Sequence, residues 1–396
     1  MIVFQAALSL VLLAGAGLLS ESLRRLEGQP FGFRTEGRMV AHVDLALAGT
    51  PPARLAALYR EMQQRLERLH GVTGASLALY GPMEQTNWSL PVSIETRAID
   101  ADQSPSMDRV SAHYFETLGS RILRGRAIGD QDTPNAHRVA VVNQAFARKF
   151  FPGQEPIGRH LGLLGASHGF DYEVVGVVED AKYVDARDPV RPTLFLPLLQ
   201  DVAYANPEEA DMQTNSNRAG SIELRVAGAA GSLQAAVRRT LADVDPSATV
   251  VRMVGLDEQV RRNFNNERLV ARLTTLYSLV ALVLACVGLY GVASYSVARR
   301  SREIGLRMAL GASRGGVILM VLRGAMKPIV LGLALGIPAT LATGHGLASQ
   351  LFGLRSYDPA VLTAAVAALA TFALLAAILP ARRSASIDPM AALRSE

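Results

Sequence analysis

Arg299, Arg300, Arg302, Arg307 and Arg314 stand within residues 299–314, where Glu303 is the only acid. A guanidinium stays charged at any physiological pH and offers a fixed fork of donors to carboxylates or phosphates. Such a run can recognise a partner or hold a segment on one side of a membrane, but it breaks no bonds. Ile304, Leu306 and Leu310 among the arginines can fill an apolar cleft, and Gly305 and Gly311 permit close approach or a turn. Basic loops also concentrate on the cytoplasmic side of membranes whatever they bind. By composition alone the run is therefore open to both readings.

Arrangements that carry catalysis are missing from the sequence. No GxxxxGK[ST] run cradles a nucleotide phosphate, and no HExxH places two imidazoles on one helical face. The 7 histidines are scattered, and His113 and His137 lack a sequence-local carboxylate arrangement that would mark a metal site, so both read as solvated or structural. The pairs Glu179-Asp180 and Glu208-Glu209 read as surface or turn residues, and GLLGAS from Gly162 is a glycine-containing loop of low specificity. Cys286 is the only cysteine and lies in an apolar stretch, which excludes an intrachain disulfide and a cysteine zinc site. No catalytic residue, metal or cofactor is expected in this chain.

The elements that position the arginines are long and apolar. Of 396 residues 49% are hydrophobic and 19% charged, with mean hydropathy +0.20, the balance of a mixed membrane and globular protein. Residues 1–20 carry no charged side chain and can cross a bilayer once, since about 20 residues span its roughly 30 Å core. Without a basic leader, and with an apolar run too long for a signal peptide, this segment reads as an uncleaved anchor. Arg24 and Arg25 would by themselves orient it with its N-terminus outside, but the charge bias acts over all loops. Residues 268–298 form a second span, with Gly288, Gly291 and Ala293 available for close helix contact. In residues 299–327 the arginine loop leads to a helix bearing Arg323 and Lys327 at i and i+4, which suits the membrane interface. A third span is expected over 328–349 from Pro328, with His345 near its far end as a headgroup-level polar residue. A short outer loop over 350–358, a fourth span over 359–381 and an inner tail over 382–396 complete the topology.

Residues 21–267 form the globular part. Alternation over 38–47, helical spacing over 52–69 and a strand over 74–80 give one β-α-β unit. Strand 221–226, helix 233–244 and strand 248–253 give a second. Two such halves predict a split ferredoxin-like sheet with helices on one face. The intervening residues, about 104–200, read as a β-rich inserted lobe with strands at 139–143 and 172–178, and residues 206–216 as a polar loop. The fold class is α+β, four transmembrane helices with a large extracytoplasmic domain. The mild net charge of +5, without basic tracts interleaved with aromatics, argues against nucleic acid as a partner.

Several segments resemble the MacB/FtsX-like permease subunits of ABC transporters, also called type VII or mechanotransmission systems. RRSREIGLRMALGAS, SYDP before the last span and the ending LPARRSASIDPMAAL are similar to the membrane module of that family. HYFETLGSRILRGRAI, RVAVVNQAFARKFFPGQEPIGR and YEVVGVVEDAKY are similar to its periplasmic domain. The opening IVFQAALSLVLLAGAGLL resembles the second half of duplicated permeases of acidobacteria and relatives, from which this chain departs by holding one module. The resemblance implies a multi-pass inner-membrane subunit with both termini inside, working as a dimer with a second permease copy or paralogous half. It also implies that ATP is bound by separate ATPase subunits, which meet the stretch corresponding to Arg302, Glu303, Ile304, Gly305, Leu306, Arg307, Leu310, Gly311 and Ala312. Membrane lipid and an envelope protein complete the expected partners. The other readings in view are a membrane-anchored scaffold or regulator of an envelope partner, without transport, or a truncated half of a duplicated permease.

Overall fold

The computed structural model describes residues 1–44, 50–99, 103–228, 233–310, 312–346, 351–353 and 357–384. Helix α1 (Ile2–Glu27) comes first, then β1 (Arg38–Asp44), α2 (Pro52–Glu67) and β2 (Val72–Ala78). Short elements follow: β3 (Trp88–Ser89), β4 (Val92–Ile94), β5 (Arg97–Ala98), β6 (Ser106–Val110), α3 (Tyr114–Leu118) and β7 (Ile122–Gly125). Next are β8 (Val139–Asn143), α4 (Gln144–Phe150), β9 (His160–Leu163), β10 (Tyr172–Val178), β11 (Thr193–Pro197) and α5 (Pro207–Ser216). The globular part closes with β12 (Ser221–Val226), α6 (Gln234–Val244), β13 (Thr249–Gly255) and α7 (Leu256–Arg262). Four helices end the described chain: α8 (Asn265–Arg299), α9 (Ser301–Ala309), α10 (Arg314–Gly346) and α11 (Pro359–Ser384). Two units result, one from Gln29–Asn263 and the other from Met1–Gly28 with Phe264–Glu396.

Within Gln29–Asn263 the two β-α-β halves interleave as the ferredoxin-like reading requires. The strands run β13-β1-β12-β2, every neighbour antiparallel. Alternate residues Met39, Ala41, Ile222 and Leu224 turn to one face, where Leu55, Tyr59, Met62 and Leu66 of α2 and Val237 and Leu241 of α6 cover them. Burying a leucine such as Leu55 or Leu241 stabilises the fold by about 2 kcal/mol each. The Tyr59 hydroxyl ties this layer to the chain entering β12, donating to Asn217 O at 2.9 Å and accepting from Ala219 N at 3.0 Å.

The sheet passes from β2 to β6 through the pair Ala78↔Val110 and continues β6-β11-β8-β10-β9-β4-β5. The pairs β6/β11 and β8/β10 are parallel and the others antiparallel, so the whole sheet is mixed. The lobe begins before residue 104, because β3 pairs with β6 and β4 with β9. Strands of two or three residues are too short for alternation to reveal them. Residues 207–216 are helical instead of a loop. The Asn206 side chain accepts from Glu208 N at 2.9 Å, Pro207 occupies the first turn, and Glu208 and Glu209 complement the helix dipole.

The second unit contains four helices long and apolar enough to cross a membrane, α1, α8, α10 and the stretch Pro359–Arg383 of α11. Helix α1 packs against α8, α10 and α11. At its contact with α10, a Cβ on Gly332 would lie 2.6 Å from Ala6 Cβ and 2.9 Å from Val3 O. One turn on, a Cβ on Gly336 would come to 3.1 Å from Ala7 Cα. These glycines permit close contact of α1 and α10, whereas a Cβ on Gly291 would meet nothing within 4 Å; a Cβ on Gly288 would meet Gln5, and Ala293 is buried. Ser278 and Ser9 cross-link α8 and α1, donating to Leu12 O at 2.7 Å and Ala281 O at 3.2 Å. The separate interfacial helix and third span are one continuous helix of 33 residues with Pro328 and Pro338 inside it. Proline removes one intrahelical donor, a loss that apolar helices tolerate where neighbouring helices support the backbone.

Candidate functional site

The arginine run folds as a helix. With 35 residues, α8 is about 52 Å long, well beyond the roughly 30 Å hydrocarbon core, and it delivers Arg299 and Arg300 past its apolar section. Backbone direction changes at Arg300, and α9 starts with Ile304 N donating to Arg300 O at 2.9 Å. Its nine residues are capped by Leu310, whose N–H returns to Leu306 O at 3.0 Å. Ala312 N then donates to Arg307 O at 3.0 Å, and the Ser313 hydroxyl receives Gly316 N at 3.2 Å as α10 begins.

The helical period sorts the expected site residues onto two faces. Ile304 is 1% exposed and Gly305 is also buried, so both face the chain's own fold. This corrects the expectation that Ile304 offers an apolar surface to a partner. Leu306 is 52% exposed and Leu310 80%, and with Arg302 they follow i, i+4, i+8 along the outer face. Glu303 and Arg307 flank this stripe and pair at 2.7 Å, while another Arg307 nitrogen contacts Met320 Sδ of α10 at 2.8 Å. Ala312 is exposed, and Gly311 lies outside the described residues. The outward face is thus a basic and aliphatic stripe flanked by the Glu303–Arg307 ion pair.

Side-chain contacts distinguish the two ends of the bundle. At one end Arg383 donates to the Tyr290 hydroxyl at 3.0 Å, which brings the basic end of α11 to the end of α8 that leads into α9. At the other, Arg268 pairs with Glu27 at 2.6 Å, Arg25 donates to Gly353 O at 2.6 Å, and the Ser22 hydroxyl receives Phe352 N at 2.8 Å. Asp358 accepts Ala360 N at 2.9 Å and caps α11. Glu27 and Arg268 flank the points where the chain leaves and re-enters the bundle, so those points lie at the end opposite α9.

Other residues singled out in the sequence make local contacts. Asp180 accepts Ala145 N at 2.7 Å and pairs with Arg148 at 2.6 Å; Glu179 accepts Arg121 N at 2.7 Å. Gly162 lies in β9 where a Cβ would meet His168 O at 1.6 Å, so close strand packing explains this glycine. His113 lies 3.2 Å from Asp130 and 3.5 Å from Glu116; burial opposes its charge, but the two carboxylates outweigh burial and raise its pKa. His345 Nδ1 lies 2.7 Å from Leu341 O.

Residues 6–252 match the MacB-like periplasmic core domain and residues 275–389 the FtsX-like permease C-terminal domain. The chain is 26% identical over 329 residues to the macrolide export ATP-binding/permease protein MacB of Sodalis glossinidius, covering 81% of this chain and 48% of that protein. It is 22% identical over 361 residues to the uncharacterized ABC transporter permease YknZ of Bacillus subtilis, covering 89% of this chain and 83% of YknZ. The chain thus spans about half the length of MacB and most of YknZ. A crystal structure of the periplasmic region of MacB from Actinobacillus actinomycetemcomitans aligns with TM-score 0.39 and 13% identity, over 59% of this chain and 95% of that one. With one family domain matching over half of the chain and the other following it in order, this protein belongs to the MacB/FtsX-like family of ABC transporter permeases.

Proposed function

We propose that this chain is the membrane subunit of an inner-membrane ABC system for export or other envelope work. In this reading an ATPase outside these 396 residues grips α9 and drives residues 29–263 on the far side of the membrane. The carrying observation is the outward stripe Arg302, Leu306 and Leu310, on a helix braced from beneath by Ile304, at the bundle end opposite the chain's exits. An acidic rim on the ATPase pairs with Arg302 and Arg307, and the two leucines enter an apolar cleft. ATP is bound by that partner, and this chain needs no cofactor. A second permease copy or a paralogous half completes a dimer, so that two ATPases close against two α9 helices. Motion passes along α8 as a lever, since a packed helix translates more readily than it bends.

Leu306→Glu places a charge in the proposed apolar contact, and Gly305→Pro breaks α9 at a cost of about 3 kcal/mol. Both variants are expected to lose co-purification with the cognate ATPase and stimulation of its ATP hydrolysis, while emission from Trp88 in residues 29–263 stays as in the parent. Retained association and retained stimulation in both variants refute the coupling.

A further inference from the structure

The lobe gathers three metal-binding side chains that the proposed coupling does not use. His137 precedes β8, His160 opens β9, and Glu173 lies on β10 between those strands. Glu173 pairs directly with His160 across the antiparallel ladder and with Val139 across the parallel one. Directly paired residues project to the same face of a sheet. His137, two residues before Val139, joins that face by the period of two. His137 Nε2 lies 2.9 Å from Glu173 Oε2, and the donor atoms of all three residues lie within 4.8 Å of one another.

We propose that His137, His160 and Glu173 form a binding site for a first-row divalent cation, with zinc as its best occupant. Two imidazoles and one carboxylate are a borderline donor set that suits zinc, copper or nickel better than magnesium or calcium, which prefer oxygen ligands. In a tetrahedral zinc site with bonds near 2.0 to 2.1 Å, neighbouring donors stand about 3.3 Å apart. His137 and Glu173 stand at 2.9 Å and all three donors within 4.8 Å, so side-chain rotation must bring them to this value; the side chains of His137 and Glu173 are 67% and 34% exposed, which leaves them room to turn. A water completes the fourth position.

The backbone around the site is already fixed. Glu173 N donates to Arg138 O at 3.0 Å, His160 O receives Glu95 N at 3.2 Å, and His137 O receives Gln200 Nε2 at 3.1 Å. The ring of His160 lies 5.8 Å from that of Phe170, which limits its rotation. Arg126 acts electrostatically on Glu173, but its guanidinium is held by both oxygens of Asp132 at 2.7 and 2.8 Å. A simple His137–Glu173 hydrogen bond needs no third donor from β9. A bound cation would join three neighbouring strands and tighten the lobe.

The test uses the full chain in detergent, purified through a tag without histidines, stripped with chelator and titrated calorimetrically with zinc and separately with magnesium. The expected result is one zinc per chain and no magnesium binding, with zinc affinity weakened by at least about tenfold in His160→Ala and in Glu173→Gln. His168→Ala, which alters a nearby His168–Asp171 pair outside the set, is expected to bind as the parent does. Trp88 emission monitors folding of each variant, and zinc is expected to raise the thermal midpoint of the parent but not of Glu173→Gln. Absence of saturable zinc binding by the folded parent, or unchanged affinity in both folded site variants, overturns the proposal. Neither outcome bears on α9 coupling, which is read through the ATPase.

Discussion

Glu223→Gln is the substitution whose effect on residues 29–263 has the clearest sign. Glu223 sits in the middle of β12, 1% exposed and directly opposite Ser76 of β2. Burial raises its pKa, a hydrogen bond from Ser221 partly opposes this, and repulsion from Glu84 adds to it, leaving the carboxyl at about 8. In the unfolded chain the same group titrates near the ordinary value of 4.5. As pH rises through that value the unfolded state releases its proton first, while the folded state keeps it until about 8. Stability therefore falls across this window and levels off above it. At about 1.36 kcal/mol per pH unit the full shift is worth at most about 5 kcal/mol. A glutamine stays neutral throughout and resembles the protonated acid in shape. The variant should be within about 1 kcal/mol of the parent near pH 5 and several kcal/mol more stable near pH 9. Trp88 is the only tryptophan and pairs with Met107, next to the buried Asp108, so its emission during urea unfolding follows this part of the molecule. A stability difference between variant and parent that does not change with pH would refute the reasoning.

Two further outcomes follow from packing and hydrogen bonding. Gly332→Leu puts a side chain where a Cβ already meets Ala6 at 2.6 Å, so α1 and α10 must separate, with an expected loss of about 1–3 kcal/mol. Thermal stability in detergent, followed by size-exclusion chromatography, should fall for this variant and hold for Gly291→Leu, whose added Cβ meets open space. Asp132→Asn weakens a carboxylate that receives both Arg126 nitrogens and Gly129 N, the last at 2.9 Å. Because Arg126 can turn partly to water, the cost should be about 1–2 kcal/mol in urea unfolding read by Trp88; a change below about 0.5 kcal/mol would contradict the assigned role.

Regular elements were legible where pattern and length agree. Strands 139–143, 172–178 and 221–226 alternate or carry β-branched runs, and each appears at the stated residues. The interleaving β13-β1-β12-β2 follows from two β-α-β halves that must share one apolar face. Local patterns failed where a few residues decide. The Asn206-Pro207-Glu208-Glu209 cap starts a helix that polar composition hid, and Pro328 reads as a helix start although its neighbours carry the helix through it. The His137, His160 and Glu173 cluster could not be read locally, because it depends on which strands become neighbours. His137 and Glu173 are 36 residues apart in sequence and 2.9 Å apart in the fold.

For α9 the sequence singled out a basic and aliphatic run, and only the fold divides it into faces. A helix of nine residues is too short to persist alone, since isolated helices need roughly 12 to 15 residues even with favourable composition. The exposed Glu303–Arg307 pair contributes only about 0.3–0.5 kcal/mol. Burial of Ile304 contributes about 2 kcal/mol and anchors the helix to its own unit. That inward residue is what permits Leu306 and Leu310 to stay outward at 52% and 80% exposure without the helix unwinding. Anchor and proposed contact thus fall on different faces of one short helix. A charge at Ile304, like proline at Gly305, would dissolve the helix and could not by itself distinguish lost contact from lost structure. A charge at Leu306 leaves the anchor in place, and for that reason it tests the proposed ATPase contact separately from the fold of α9.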